Sequence, residues 1–351
     1  MKTQLAQRPT IREVARLSNV SVCTVSLVLS GNPAARRISE STREKVRTTA
    51  KSLGYKANSL GRDLQRGYSN QILLMIVSWN LATSHSATAM AISRAAARKN
   101  LLLTVHVADD DKSAEEFVTK QNLHNLGGVL ILWDSPALEH SALMNLASDG
   151  VPVIALLPGT FHTLSAVTID RDQAGHAATR HLIELGHRKI GFIGDSVTRP
   201  GTTLRKLAGY NRAMADAGLE FNPNYVAEVT DYGFSGGQSG FRMLHQRHPD
   251  LTAVFCINDG MALGAIEAAR RVGMQTPLQF SAIGFGDSAE GRYWSPKLTT
   301  FSLECDRVAE KAIDVALEHR KGPHAETNSV LLPTLLLVRE STGPLAAQTD
   351  S

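Results

Sequence analysis

Cysteine is scarce in this 351-residue chain, occurring only as Cys23, Cys256 and Cys305. Three widely spaced cysteines with no CxxC pair and no Cys/His cluster indicate neither a disulfide framework nor a zinc site, so reduced thiols are expected. Long apolar runs are also missing. No stretch of eighteen apolar residues occurs, so no membrane-spanning helix is expected. The opening MKTQLAQRPTIREVA lacks the continuous apolar core of a secretory signal, and cytoplasmic residence is the expectation. Enzyme signatures are equally thin, with no HExxH, P-loop or GxSxG pattern. The run Gly284-Phe285-Gly286-Asp287-Ser288-Ala289 fits G-x-G-x-x-A, with Glu304 twenty residues beyond Gly284. Pro296 interrupts the helix that should follow, and the first βα unit, where dinucleotide folds place this motif, lacks it. The twelve histidines are scattered, and His181 and His187 are expected at exposed helix ends. Asp170 and Asp172 around Arg171 suit a helix N-terminus, which favours acids. No cofactor is called for, and the chain does not read as an enzyme.

What is present has a clear polarity. Hydrophobic residues make up 43% and charged residues 20%, the balance of a globular chain with sizeable cores and room for two or three domains. Residues 1–68 hold thirteen Lys+Arg against four Asp+Glu, a charge of +9, which leaves −5 on the remainder of a chain whose net charge is +4. A basic head on a mildly acidic body suits phosphate binding, because each neutralised phosphate releases counterions.

The head has helix punctuation. Thr10 with Glu13 three residues on makes a capping box, and the helix it opens should turn Ile11, Val14, Ala15 and Leu17 to one side. Ser18-Asn19-Val20 makes a turn, Ser21 caps a second helix, and Ser39 caps a third that ends at Leu53-Gly54. Two short helices across a tight turn, braced by a third, form a helix-turn-helix whose second helix enters the major groove.

The same residues carry a resemblance. Thr10-Ile11-Arg12-Glu13-Val14-Ala15, Val20-Ser21-Val22-Cys23-Thr24-Val25-Ser26, Ile38-Ser39, Thr42-Arg43-Glu44-Lys45-Val46, Leu53-Gly54-Tyr55 and Asn58 resemble, in order, the head of the lactose-repressor (LacI/GalR) family. The match runs on through Ser59–Leu64, which is similar to the family's hinge helix. The resemblance implies that Ser21, Thr24, Ser26, Ser39, Thr42, Tyr55 and Asn58 contact phosphates and fix register. It implies that Val22 and Cys23 face base edges, and that Leu64, flanked by Leu60 and Arg62, wedges into the minor groove. One departure stands out. Leu27 occupies a position where many members carry Arg, and Leu offers only an apolar contact such as a thymine methyl. Specificity is then expected to lean on the hinge, on DNA deformability and on half-site spacing. Extra residues around Ala34-Ala35-Arg36 lengthen the loop before the third helix, placing Arg36 and Arg37 as backbone contacts.

From Gln71 onward, β-rich runs alternate with amphipathic helical stretches. Strands are predicted over 72–77, 101–107, 128–132, 151–156, 166–169, 189–193, 226–230, 253–256, 281–285 and 332–338, with helices over 171–185, 204–217, 261–272 and 305–320. This rhythm predicts parallel sheets covered on both faces. The segments around Leu185-Gly186-His187-Arg188, Leu207-Ala208-Gly209-Tyr210, Ile257-Asn258-Asp259 and Val338-Arg339-Glu340-Ser341-Thr342 resemble the family's effector core, which shares the fold of periplasmic sugar-binding proteins. The fold class expected is α/β: an all-α helix-turn-helix head plus a core of two doubly wound α/β subdomains, between which the chain crosses three times. The predicted boundaries are a head at 1–57, a hinge at 58–70, a core at 71–343 and a tail at 344–351. Within the core, subdomain one takes 71–166 and 301–327, and subdomain two takes 167–300 and 328–343.

Ligands in such folds bind beyond the carboxyl ends of the strands. The resemblance suggests Asn258 as an effector contact, with its neighbour Asp259 as the cap of the next helix. It places Lys206, beside Arg205, where the family usually has Arg, and puts Asp287 one residue past the usual acid. Phe234 could stack on a sugar ring or pack in the core. The partners expected are pseudo-palindromic double-stranded operator DNA, a small-molecule effector of carbohydrate type, and a second copy of the chain in a homodimer, with no membrane and no metal. The tail lacks a heptad repeat that would build a tetramer. A periplasmic-type solute-binding protein is the alternative, and it leaves the basic head without a purpose.

Overall fold

The computed structural model describes residues 9–30, 33–55, 68–77, 83–133, 142–157, 164–195, 201–320 and 329–345. The chain divides into two compact units, Met1–Ser69 and Asn70–Ser351.

The first unit is a three-helix head. Helix α1 (Ile11–Ser18) opens on the capping box of Thr10 and Glu13 and closes on Asn19, which adopts a left-handed φ of 56°. Helix α2 (Val22–Ser30) follows, then a 3₁₀ turn over Pro33–Arg37 and helix α3 (Glu40–Ser52). Val14, Ala15, Val25, Val28, Val46 and Ala50 form the core of this unit. Leu17, expected on the inner face, is 46% exposed, and Ser18 is buried in its place. The apolar stripe is therefore narrower than the residue types suggest.

The second unit holds two parallel sheets. The first runs in the order β11-β5-β4-β3-β1-β2, built from β1 (Gln71–Val77), β2 (Leu102–Ala108), β3 (Gly128–Leu132), β4 (Val153–Ala155), β5 (Ser165–Ile169) and β11 (Ser329–Leu332). The second runs β7-β6-β8-β9, from β6 (Ile190–Gly194), β7 (Val226–Glu228), β8 (Ala253–Cys256) and β9 (Ser281–Ile283). A small antiparallel pair, β10 (Thr300–Phe301) and β12 (Leu336–Leu337), completes the strands among the described residues.

Strands buried on both faces read as unbroken apolar runs, and β1, QILLMIV, does so. Its alternate residues face opposite layers. Ile72, Leu74 and Ile76 pack in a cluster with Ala91, Ile92 and Ala95 of α4 (Thr83–Arg98) and Ala309, Ala312 and Ile313 of α12 (Cys305–His319). Leu73 and Met75 face α5 (Asp111–Lys120) and α6 (Ala142–Ser148), with Ala114, Val118, Leu143 and Leu146 beside them. The second sheet is flanked by α7 (Arg171–Glu184), α8 (Thr202–Asp216), α9 (Phe234–Arg247) and α10 (Asp259–Arg271), with a short α11 (Ala289–Tyr293) after β9.

The chain passes from one sheet region to the other after Ile169, after Phe301 and after Leu332. Two boundaries differ from those expected. All of 165–169 lies in the first sheet, and residues 329–332 pair with it, Ser329 opposite Ala166 through Leu332 opposite Ile169. The single strand predicted over 332–338 is therefore two strands in different sheets, with the crossing between them.

Candidate nucleic-acid interface and effector cleft

At the start of α2, Ser21, Val22 and Cys23 are exposed, while Thr24, Ser26 and Leu27 are half-buried on the flanks of the inward-facing Val25 and Val28. The Ser21 hydroxyl accepts the Thr24 amide at 3.0 Å and lies 2.9 Å from the Thr24 hydroxyl. The same arrangement recurs at α3, where Ser39 Oγ accepts the Thr42 amide at 3.3 Å and lies 2.8 Å from Thr42 Oγ1. Both helices thus carry a pair of short hydroxyls at the end where backbone N–H groups and the helix dipole favour anions. Tyr55, half-buried against the head core, is fixed by its backbone N–H donating to the Ala50 carbonyl at 2.8 Å. Arg43 and Arg47 pair with Glu40, and Arg47 also reaches Glu44 at 3.9 Å. Arg12, Arg16, Arg36 and Arg37 are exposed and have no ion pair among the described residues. Asn58, Leu60, Arg62 and Leu64 lie outside the described residues.

The carboxyl ends of the second sheet bring a different set together. After β6 comes Asp195, whose carboxylate accepts both the Thr203 hydroxyl and the Tyr232 hydroxyl. Phe234, 37% exposed, opens α9 and lies 6.0 Å from the half-buried Trp294 ring. Asn258 follows β8, and Phe285 to Asp287 follow β9.

Several of these side chains are committed within the fold. Lys206 is buried, its Nζ donating to the Ile257 carbonyl at 2.9 Å and sitting 4.1 Å from the centre of the Phe285 ring. A tertiary acceptor and an aromatic face thus hold its ammonium inside the fold. Asn258 is the N-cap of α10: its Oδ1 accepts the Met261 amide at 2.8 Å and its Nδ2 donates to the Tyr232 carbonyl at 2.8 Å. The cap had been expected at Asp259, which is instead buried and receives the Ser288 amide at 2.6 Å and the Thr300 hydroxyl. Burial pushes the Asp259 carboxyl up. Asp287 is gripped by Arg292 through two N–H groups, the closer at 2.6 Å, and by Arg339 at 2.5 Å. Burial works against its charge, but the two guanidinium groups outweigh that and hold the carboxyl below its usual range. Arg205 is exposed at the start of α8.

Two histidines also differ from expectation. His187 is fully buried and His181 half-buried. His187 Nε2 lies 3.2 Å from the Gly343 carbonyl and 3.0 Å from Ser281 Oγ, and Nδ1 lies 3.0 Å from Thr252 Oγ1.

Residues 10–58 match the description "Bacterial regulatory proteins, lacI family", and residues 179–342 match "Periplasmic binding protein-like domain". The transcriptional repressor CytR of Escherichia coli (strain K12) is 30% identical over 344 residues, spanning 96% of this chain and 97% of CytR. The chain belongs to the LacI family. The ribose operon repressor of Haemophilus influenzae is 29% identical over 337 residues, covering 95% of this chain and 98% of that protein. Among solved structures, the transcriptional regulator CelR in complex with cellobiose superposes with a TM-score of 0.70 at 26% identity, over 95% of this chain and 100% of CelR. The lac repressor dimer bound to operator and the anti-inducer ONPF shares the fold, with a TM-score of 0.80 at 21% identity over 96% of this chain and 100% of that one.

As a LacI-family protein the chain is a DNA-binding transcriptional regulator. Its Gly284-x-Gly286 run has a packing role: a Cβ on Gly284 would meet Asp259 Oδ1 at 2.3 Å, and Gly286 takes a φ of 141°. Among the described residues no helix is long and apolar enough to cross a membrane, and no group of three His, Cys, Asp or Glu side chains is placed to hold a metal. Sequence reasoning did not single out Asp195, whose carboxylate gathers Thr203 and Tyr232, or Trp294 beside Phe234. Tyr232, immediately before Gly233-Phe234, was the one signal available, since aromatic residues beyond a strand end mark ligand surfaces.

Proposed function

We propose that this regulator binds a pseudo-palindromic operator as a homodimer in the cytoplasm, acts as a repressor, and changes operator affinity when a carbohydrate or related metabolite enters the cleft of its core. The observation that carries the DNA reading is the start of α2: an exposed Ser21-Val22-Cys23 edge with paired hydroxyls, on a head whose Arg12, Arg16, Arg36 and Arg37 have no ion pair among the described residues. Ser21, Thr24, Ser26, Ser39, Thr42 and Tyr55 hold phosphates, while Val22, Cys23 and Leu27 offer apolar contact to base edges. Arginines with no carboxylate partner add the salt-dependent attraction.

For the effector, Phe234 supplies a stacking face, extended by Trp294 and Tyr232, with Arg205 as the charged contact. Lys206, Asn258 and Asp287 act one step back, as the residues that hold Phe285, Tyr232 and Arg339 in place. Dimer formation is supported by β2, the outermost strand of the first sheet among the described residues, where Leu102 is 66%, Val105 46% and Val107 42% exposed, with Met90 of the adjoining α4 at 61%. Exposed apolar patches of this kind mark interfaces. The test is selection of genomic fragments by the purified protein at two salt concentrations. Enrichment of one palindrome whose binding weakens steeply with salt is the expected result. Binding with no enriched site, or enrichment of a non-palindromic site occupied by a monomer, contradicts the proposal.

A further inference from the structure

Asp195 carries a charge that no cation of the described residues balances. It follows β6, which pairs with β7, and its side chain is half-buried. Its two oxygens accept the Thr203 and Tyr232 hydroxyls, which are neutral donors. Among the described residues it forms no ion pair. A carboxylate partly withdrawn from water with no cation beside it is costly, and a cationic group on a ligand relieves that cost.

The neighbouring charges are placed otherwise. Asp287 is neutralised by Arg292 and Arg339, and Asp259 is buried under the Ser288 amide and the Thr300 hydroxyl. Asp231 stands in water, where it accepts the Gly233 amide at 2.6 Å and the Ser235 hydroxyl. The Lys206 ammonium is held by the Ile257 carbonyl and the Phe285 ring, and the exposed Arg205 forms no ion pair among the described residues.

Aromatic faces stand next to Asp195. Tyr232 is 40% exposed and Phe234 37%. Gly233 alone separates them, so the ring bonded to Asp195 and the ring facing Trp294 leave the chain within about 7 Å of each other. A carboxylate beside aromatic rings suits a cation on an apolar frame, which gains a charge-assisted hydrogen bond and cation–π attraction together.

We propose that the effector is an amino sugar with a free ammonium group, an inference that rests on the carbohydrate reading of the cleft. The ammonium donates to Asp195 and lies against the Tyr232 ring, while the apolar face of the sugar stacks on Phe234. Arg205 is left to the hydroxyl oxygens. A neutral hexose can donate a hydroxyl to Asp195, but it leaves the charge of the carboxylate uncompensated.

The probes are D-glucosamine, D-galactosamine and D-mannosamine, each titrated into the intact protein by calorimetry beside its parent hexose, which puts a hydroxyl where the ammonium stands. One aminohexose should saturate and bind about tenfold more tightly than its parent. D195N, which keeps the size and removes the charge, should erase that preference. Y232F, which keeps the charge, should retain it, and F234A should weaken aminohexose and hexose alike. The wild-type pairs need no variant, so a variant that fails to fold cannot hide the answer. A parent hexose that binds as tightly as its aminohexose, or a preference that survives D195N, overturns the amino-sugar inference and leaves the carbohydrate reading standing. An absence of saturable binding by all of these sugars up to about 10 mM overturns the inference and counts against the carbohydrate reading as well.

Discussion

Removing the His187 ring should destabilise the core without touching DNA or effector. The ring is fully buried and ties three segments together: Thr252 before β8, Ser281 at the start of β9, and Gly343 near the end of the described chain. The same terminal segment is held by the Ser341 carbonyl accepting from Ala282 at 2.9 Å and by the Leu345 amide donating to Leu185 at 2.9 Å. His187→Leu keeps much of the volume but deletes the hydrogen bonds of both ring nitrogens, one at Nδ1 and one Nε2–H shared between Gly343 and Ser281; with buried partners left behind, each loss costs about 1–2 kcal/mol, roughly 2–4 kcal/mol in all. In a domain of this size that lowers the melting temperature by roughly 5–10 °C. The pH dependence follows from the same burial, which holds the His187 and His181 rings below their ordinary value of 6.5. Between the folded value and 6.5 the unfolded chain binds more protons than the folded one, so stability is complete above 6.5 and falls as pH drops through the folded value. Calorimetry from pH 8 down to about pH 5 should show wild-type melting fall with acid and His187→Leu fall less steeply from its lower start. A variant that melts within about 1 °C of wild type at pH 8 would refute the reasoning, since the buried hydrogen bonds of both ring nitrogens cannot vanish at no cost.

Other changes separate packing from recognition. Gly209→Ala places a Cβ 2.0 Å from the Asp172 carbonyl oxygen where α8 crosses α7, and should cost about 1–3 kcal/mol in thermal unfolding of the core, because helix backbones must part. Gly54→Ala meets nothing within 4 Å but must hold a φ of +64°, so only about 1 kcal/mol is expected, and only in the head. Ser39→Ala removes the cap of α3 and should lower head stability by about 1 kcal/mol in chemical denaturation, with the core transition unmoved. Leu27→Arg should create a guanine preference in the selected operator worth about 1–3 kcal/mol over other bases; an unchanged binding motif would place residue 27 away from the groove.

The parts legible in sequence were those decided by neighbours along the chain. The capping box of Thr10 and Glu13, the Ser39 cap and the Gly54 stop are local hydrogen-bond patterns, and the helices start and end as they dictate. β1 and β3 were equally plain, because strands buried on both faces announce themselves as apolar runs. What escaped was decided by distant partners. Lys206 turns inward because the Ile257 carbonyl and the Phe285 ring await it, and nothing near residue 206 reveals either. Asn258 takes the cap expected of Asp259 because Thr300 and Ser288 reach the Asp259 carboxylate from over twenty residues away. β10 and β12 are two residues each, too short for any periodicity to register. His187 looked like a helix-end residue until the terminal segment closed over it.

The central claim is that occupancy of the core cleft sets the affinity of the head for its operator. It is tested most directly by fluorescence anisotropy of the selected operator duplex, titrated with the intact protein alone and with each member of a panel of mono- and disaccharides. One compound or a related group should shift affinity by about tenfold, a coupling of roughly 1.4 kcal/mol. Phe234→Ala should erase that shift while leaving the affinity without sugar unchanged. A shift of the same size in Phe234→Ala, or no shift with any compound of the panel, would contradict the account.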